Sequence, residues 1–178
     1  GHANGNGRAP HPAPEDAPPE LPPGKRAEIL AAAIHHYHQT LQEDRRGLDY
    51  LAWRGVKDPA SLAAFQIGFV NGSLKSRLPS DERHELITGL KTLGLLNPRG
   101  TEAFHHCVVF PILDENGAAV GLYGRHINRP HGHLYLTGPR RGVWNGAALK
   151  VYPALVPTEK IIDALSLYSV GIKETVPL

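Results

Sequence analysis

The stretch VVFPILDENGAAVGLYGRHI, Val108 to Ile127, reads as one β-hairpin. Val108, Val109, Phe110 and Ile112 form an apolar run rich in β-formers. Asp114-Glu115-Asn116-Gly117 is turn chemistry, because Asn-Gly accepts the positive φ angles of tight hairpin turns. Ala118 to Tyr123 predicts the returning strand, which ends at Gly124-Arg125, a small residue followed by a fixed positive charge.

The charge pattern changes at the hairpin tip. From Asn116 to Thr158 there is no Asp or Glu, while the same window holds Arg125, Arg129, Arg140, Arg141 and Lys150 together with His126, His131 and His133. Tyr123, Tyr135, Trp144 and Tyr152 are interleaved with them. In a chain of formal net charge +2, a one-signed segment carrying aromatics points to a surface that meets an anion, with nucleic acid the leading candidate.

Composition bounds the rest. The chain has 178 residues and 41% hydrophobic content, enough for one ordinary domain, or one domain and part of another, with a real core. A single cysteine, Cys107, excludes a disulfide framework and a zinc ribbon built from this chain alone. No run approaches the apolar length of a membrane span, and the polar start has no signal-peptide core, so a cytoplasmic location is expected and no membrane partner. The absence of methionine, with the opening Gly1-His2, suggests a piece of a longer protein.

Outward from the hairpin, residues 1–24 hold seven of the sixteen prolines and predict a flexible or polyproline-like linker. Lys25 to Glu43 is the best helix, with Ile29, Leu30, Ala33, Ile34, Tyr37 and Leu41 recurring on one face. Asp44 to Trp53 predicts a second helix, stopped at Arg54-Gly55. Asp58-Pro59 opens a short third. Phe65 to Val70 is a short strand or extended turn, and Ser80-Asp81-Glu82 caps a helix running to about Leu93. Leu134 to Leu136 and Val151 to Val156 are expected strands, on either side of the basic loop Gly138 to Gly146, GPRRGVWNG. Glu159 to Ser169 predicts a helix closed by Gly171, and Ile172 to Leu178 the next strand. A strand–helix–strand pattern of this kind is expected to continue in a longer chain.

The ordered set of pieces resembles the catalytic core of bacterial, DnaG-type DNA primases. The likeness is carried by Tyr37-His38, Tyr50-Leu51, Arg54-Gly55, Phe65-Gln66-Ile67-Gly68-Phe69, Gly94-Leu95, Val109-Phe110-Pro111-Ile112, Gly117, Gly121-Leu122-Tyr123-Gly124-Arg125 and Leu134-Tyr135-Leu136. The stretch Glu159 to Leu165, EKIIDAL, looks like the opening of a Toprim domain. The resemblance implies an α+β fold: a helical N-terminal part packed on a small, mostly antiparallel sheet, followed by the first strand and helix of a truncated α/β Toprim domain. Residues 25–149 would then be the template-binding subdomain and residues 150–178 the start of the Toprim domain. The pattern departs from cellular members at His105-His106-Cys107, at His133-Leu134 and at Trp144-Asn145, where basic residues are usual. The GPRRGVWN loop looks more like the primases of phages and mobile elements, often fused to helicases.

In function, the resemblance implies a primase: an RNA polymerase that lays short primers on single-stranded DNA template from ribonucleoside triphosphates during DNA replication. Glu159 would be one acid of a catalytic cluster binding Mg²⁺ or Mn²⁺, hard cations that take oxygen ligands and offset phosphate charge. The partner acids lie downstream, so the chain alone is expected to be inactive. A replicative or fused helicase is a further expected partner. Arg125, Arg129, Arg140, Arg141 and Lys150 are the expected nucleic-acid contacts, with Trp144 stacking on a base. The alternative is a non-catalytic module that binds single-stranded nucleic acid in a helicase or mobile-element transfer protein.

Residue type alone supports plainer readings of several of these. On that basis Arg125 reads first as a strand-end surface arginine, Trp144 and Tyr135 as core anchors, and Glu159 and Asp163 as favourable charges at a helix start. His105-His106-Cys107, taken as consecutive in a strand, alternate faces and cannot bind one ion together. Buried Cys107 is expected to be inert.

Overall fold

A computed structural model describes residues 21–178. Helix α1 (Pro23–Glu43) starts two residues earlier than the periodicity predicts. Its first turn contains Pro23, and proline is well tolerated there because that N–H has no helical partner in any case. The expected linker therefore ends before Pro23, and its first twenty residues lie outside the described part. The inward face of α1 is the predicted stripe, Ile29, Leu30, Ala33, Ile34, Tyr37 and Leu41. Helix α2 (Arg45–Trp53) follows after Asp44, whose carboxylate accepts from the Arg46 N–H and so caps it. The guanidinium of Arg46 beside that carboxylate holds the Asp44 carboxyl down at about 2. Helix α3 (Pro59–Ala64) is capped in the same way by Asp58. Helix α4 (Arg83–Thr92) has Glu82 at its cap position with no side-chain bond, so the predicted Ser80-Asp81-Glu82 cap does not form as such.

One antiparallel sheet runs in the order β1 (Gly68–Phe69), β2 (Cys107–Leu113), β3 (Ala119–His126) and β4 (His133–Tyr135). Strands β2 and β3 are the predicted hairpin, with Phe110 opposite Tyr123 and Val108 opposite Arg125. The turn is wider than a two-residue loop. The Asp114 carboxylate accepts from the Asn116 and Ala118 amides, only Gly117 takes positive φ, and the register shifts between Ile112 and Leu113. Alternation sorts the hairpin onto two cores. Cys107, Val109 and Leu122 face α1 and α4, whereas Val108, Phe110 and Tyr123 face α2, Trp144 and the last helix, Ile161–Ser169. Strand β2 is covered on both faces, which is why it reads as an unbroken apolar run.

Two segments differ from the sequence expectation. His105 and His106 precede β2 in a turn, so they do not alternate. His106 sits at φ 62° and the two rings stack at 3.9 Å. Among the described residues no group of three or more His, Cys, Asp or Glu is placed to hold a metal ion. The strand expected over Val151 to Val156 is instead a helical turn, α5 (Ala148–Val151), and then β5 (Val156–Thr158). Ala147-Ala148-Leu149-Lys150 are strong helix formers, and Pro153 stops them. Strand β5 pairs in parallel with β6 (Thr175–Pro177) across helix α6 (Ile161–Ser169). Ile161, Ile162 and Leu165 of α6 enter the same core as Phe110 and Tyr123, so the expected division near residue 150 is crossed by one continuous cluster. No described helix is long and apolar enough to cross a membrane.

In the other core, against α1, Glu102 is a buried charged residue, 5% exposed, with Oε1 accepting from the Leu74 N–H at 2.9 Å. The Tyr37 hydroxyl lies against the carboxyl, but neither it nor Glu102 Oε2 reaches a hydrogen-bond partner of good geometry. Burial pushes the Glu102 carboxyl above its ordinary range, outweighing the Leu74 N–H. The folded state therefore binds the proton more tightly than the unfolded chain, and this group's contribution falls as pH rises from the ordinary carboxyl range to the folded value. Glu102→Gln keeps the acceptor for Leu74 and removes the titration. Urea midpoints of variant and parent are expected to converge at low pH, and the variant is expected to be the more stable at pH 7. A constant difference across pH would contradict the assignment.

Candidate nucleic-acid interface

The antiparallel sheet turns the side chains of Tyr123, Tyr135 and His133 to one face, and this face borders a cleft of about 490 Å³. The basic loop closes one side with Arg140 and Arg141. The carboxyl ends of the parallel strands, with Glu159, Lys160, Pro177 and Leu178, close another. Arg26 of α1 reaches the rim and donates to the Thr137 carbonyl. Four cations thus meet a single carboxylate, at the carboxyl end of a parallel β-α-β unit, where such sheets characteristically bind ligands. The N-terminus of α6, at Ile161, adds its partial positive charge.

Strand β3 fixes Arg125 at the edge of this cleft. Its guanidinium donates to His133 Nε2 at 2.8 Å and to the Pro130 carbonyl. An arginine only donates, so Nε2 is the bare nitrogen, and His133 Nδ1–H donates to the Tyr123 hydroxyl oxygen at 2.6 Å. The histidine is held neutral, its pKa lowered first by burial and then by Arg125. Burial pushes the Tyr123 hydroxyl up to about 12. Arg140 lies over the Tyr135 ring at 4.0 Å, which orients a cation at the entrance.

The expected contacts divide accordingly. Arg140, Arg141, Trp144 and Glu159 come together around the cleft, with Arg125 beside it through His133. Arg129 is exposed on the loop beyond β3. Lys150 points elsewhere, into an ion pair with Glu115 at 2.8 Å. Trp144 is 1% exposed and packs against Phe65 at 4.3 Å, so it offers no face to a base. Its neighbour Asn145 pins the basic loop to β6 by donating to the Lys173 and Thr175 carbonyls. Cys107 is buried, and its thiol is pushed up to about 12.

The sheet order, the hairpin register and this cleft can be set beside known proteins. The DNA primase catalytic core, N-terminal domain, matches residues 35–148, more than half of the chain. The chain belongs to that family. It is 26% identical over 173 residues to the DNA primase of Listeria monocytogenes, covering 85% of this chain and 27% of the relative. To the DNA primase of Deinococcus radiodurans it is 30% identical over 166 residues, covering 81% and 28%. The primase core described here thus spans about a quarter of the length of these relatives. A solved structure of the DnaG primase catalytic domain bound to ssDNA aligns with TM-score 0.70 at 24% identity, over 86% of this chain and 55% of that one. The helical part, the small antiparallel sheet and their order are those of the DnaG catalytic core.

Sequence reasoning missed two charges of the primase core's cleft and one ion pair outside it. Arg26 lies far from the acid-free window in the chain, and only the packing of α1 brings it to the cleft, whereas Lys160 stands just past the window's end, after Glu159. Arg54 was read as part of a helix stop. It forms an ion pair with Asp163 at 3.2 Å, tying α2 to the first turn of α6.

Proposed function

We propose that this primase core holds a single-stranded DNA template across the cleft, with Arg140, Arg141, Arg26 and Lys160 meeting phosphates and Arg125 and Arg129 continuing the track along the β3–β4 edge. The observation that carries the reading is the ratio of four cations to one carboxylate in an aromatic-bearing cleft. The likeness to a catalytic domain solved with ssDNA supports it. In this reading residues 25–149 bind template and residues 150–178 open a Toprim domain. The parent enzyme polymerises ribonucleoside triphosphates into primers in the cytoplasm beside a helicase. The Gly138–Asn145 loop supports a parent from a mobile element.

Glu159 takes the role of one acid in a divalent-metal site. It is an exposed, single carboxylate, and no described cluster of three ligands accompanies it. A hard cation such as Mg²⁺ needs more oxygen ligands than one side chain supplies, so these residues alone do not fit a bound metal. No primer synthesis is expected from the 178-residue chain.

The test is anisotropy of a labelled oligothymidylate across a salt series. The chain is expected to bind with an affinity that falls steeply with salt. The Arg125→Ala, Arg140→Ala, Arg141→Ala triple variant is expected to bind more weakly, with the logarithmic salt slope reduced by about two. Salt-independent binding, or a variant that binds as the parent does, would remove the template role from this cleft.

A further inference from the structure

The chain has two tryptophans in opposite settings. Trp144 is sealed in the core, whereas Trp53, at the end of α2, is 77% exposed. The buried side of α2 is carried by Gly47 and Leu51, so Trp53 is not needed to seat that helix. Its ring is nonetheless positioned. The Tyr50 ring lies 6.0 Å away at 44°, and the Arg54 guanidinium stands 5.9 Å from the indole centroid. Arg54 is itself held by Asp163. Tyr50 packs against the core cluster that holds Tyr123, whose ring lies 5.0 Å from Tyr135, the ring that Arg140 covers. Aromatic and guanidinium groups therefore continue from the cleft to Trp53.

We propose that Trp53 is a base-stacking contact that extends the single-strand track beyond the cleft onto the end of α2. The proposal rests on the template-binding reading. Every base offers a π face, so an exposed indole beside a guanidinium holds a single strand without choosing its sequence. The paired Arg54 keeps the site from adding a net phosphate-binding charge, so the contact is to the base. A protein partner would need an apolar surround, yet the ring's neighbours are Tyr50 and the Arg54–Asp163 pair.

The two-tryptophan composition supplies the readout. Saturating oligothymidylate should quench the solvent-exposed emission of the chain, and Trp53→Phe should leave only the buried emission, unchanged by DNA. An oligomer of the same length carrying abasic sites should bind without the quench. Trp53→Ala should weaken binding of the thymidylate about tenfold and that of the abasic oligomer hardly at all. Trp53→Leu should behave as the alanine variant, since bulk without a π face does not stack. Normal binding of DNA with unchanged emission and unchanged affinity in Trp53→Ala would overturn the stacking role and leave the cleft reading intact. The ring would then be left for a protein partner. Equal loss on both oligomers, or full affinity in Trp53→Leu, would also overturn it. Failure of the parent to bind any DNA would overturn both.

Discussion

Trp144→Ala is expected to lower the unfolding free energy by about 3–5 kcal/mol, the range for emptying a large aromatic site. The ring belongs to the core that joins Phe110 and Tyr123 of the hairpin to Ile161, Ile162 and Leu165 of α6, and it packs on Phe65 after α3. Three parts of the chain lose a shared contact, and none can collapse into the space without moving the others. The indole Nε1–H has no hydrogen-bond partner. Deleting the ring therefore sacrifices packing only, and Trp144→Phe, which keeps much of the volume and sheds the unpaired donor, should cost far less. Chemical unfolding of both variants checks the pair. A loss under 1 kcal/mol in Trp144→Ala would mean that the ring is not the joint between hairpin and α6.

The same residue shows where sequence reading reached its limit. From residue type, Trp144 and Tyr135 both read more readily as core anchors than as stacking faces. The structure separates them by a few residues of loop geometry: Trp144 is 1% exposed and Tyr135 44%. The hairpin, the α1 stripe and the Asp58-Pro59 helix start were legible because local periodicity and capping chemistry determine them. Strand β5 begins only at Val156, where the expected strand ends, because Ala148 to Val151 make a helical turn that Pro153 stops. The cleft was half legible. An acid-free run marked Arg140 and Arg141, but Arg26 arrives from a distant helix that a window along the chain cannot see, and Lys160 follows Glu159, the acid that ends the run. Lys150 fell inside the window and pairs instead with Glu115, just outside it. One-dimensional charge counts find the segment; the partner of each charge is a three-dimensional fact.

Gly68→Ala is expected to destabilise the fold by at least ~3 kcal/mol, as overpacking against immovable neighbours does. The requirement here is space. A β-carbon at Gly68 would stand 2.7 Å from Tyr37 Cβ, 2.8 Å from the Tyr37 carbonyl carbon and 3.0 Å from its oxygen. Two of those atoms are backbone in the middle of α1, so no side-chain rotation relieves the clash. Gly68 is also paired with Val109 in the sheet, and His38 Nδ1 bonds the Ile67 carbonyl at 2.8 Å, so β1 cannot retreat. The helix must lift from the sheet, opening the core beneath Leu30, Ile34 and Tyr37. For a chain of this size the loss corresponds to roughly 10 °C in Tm. Gly117→Ala supplies the contrast: nothing lies within 4 Å of its added carbon, and only its φ of +81° opposes the change. That strain costs about 1–2 kcal/mol. The order should therefore be Gly68→Ala well below Gly117→Ala. Because α1 also carries Arg26 to the cleft, Gly68→Ala should weaken DNA binding even at temperatures where it stays folded, whereas Gly117→Ala should not. Equal stability of the two variants would mean that α1 is free to shift on the sheet.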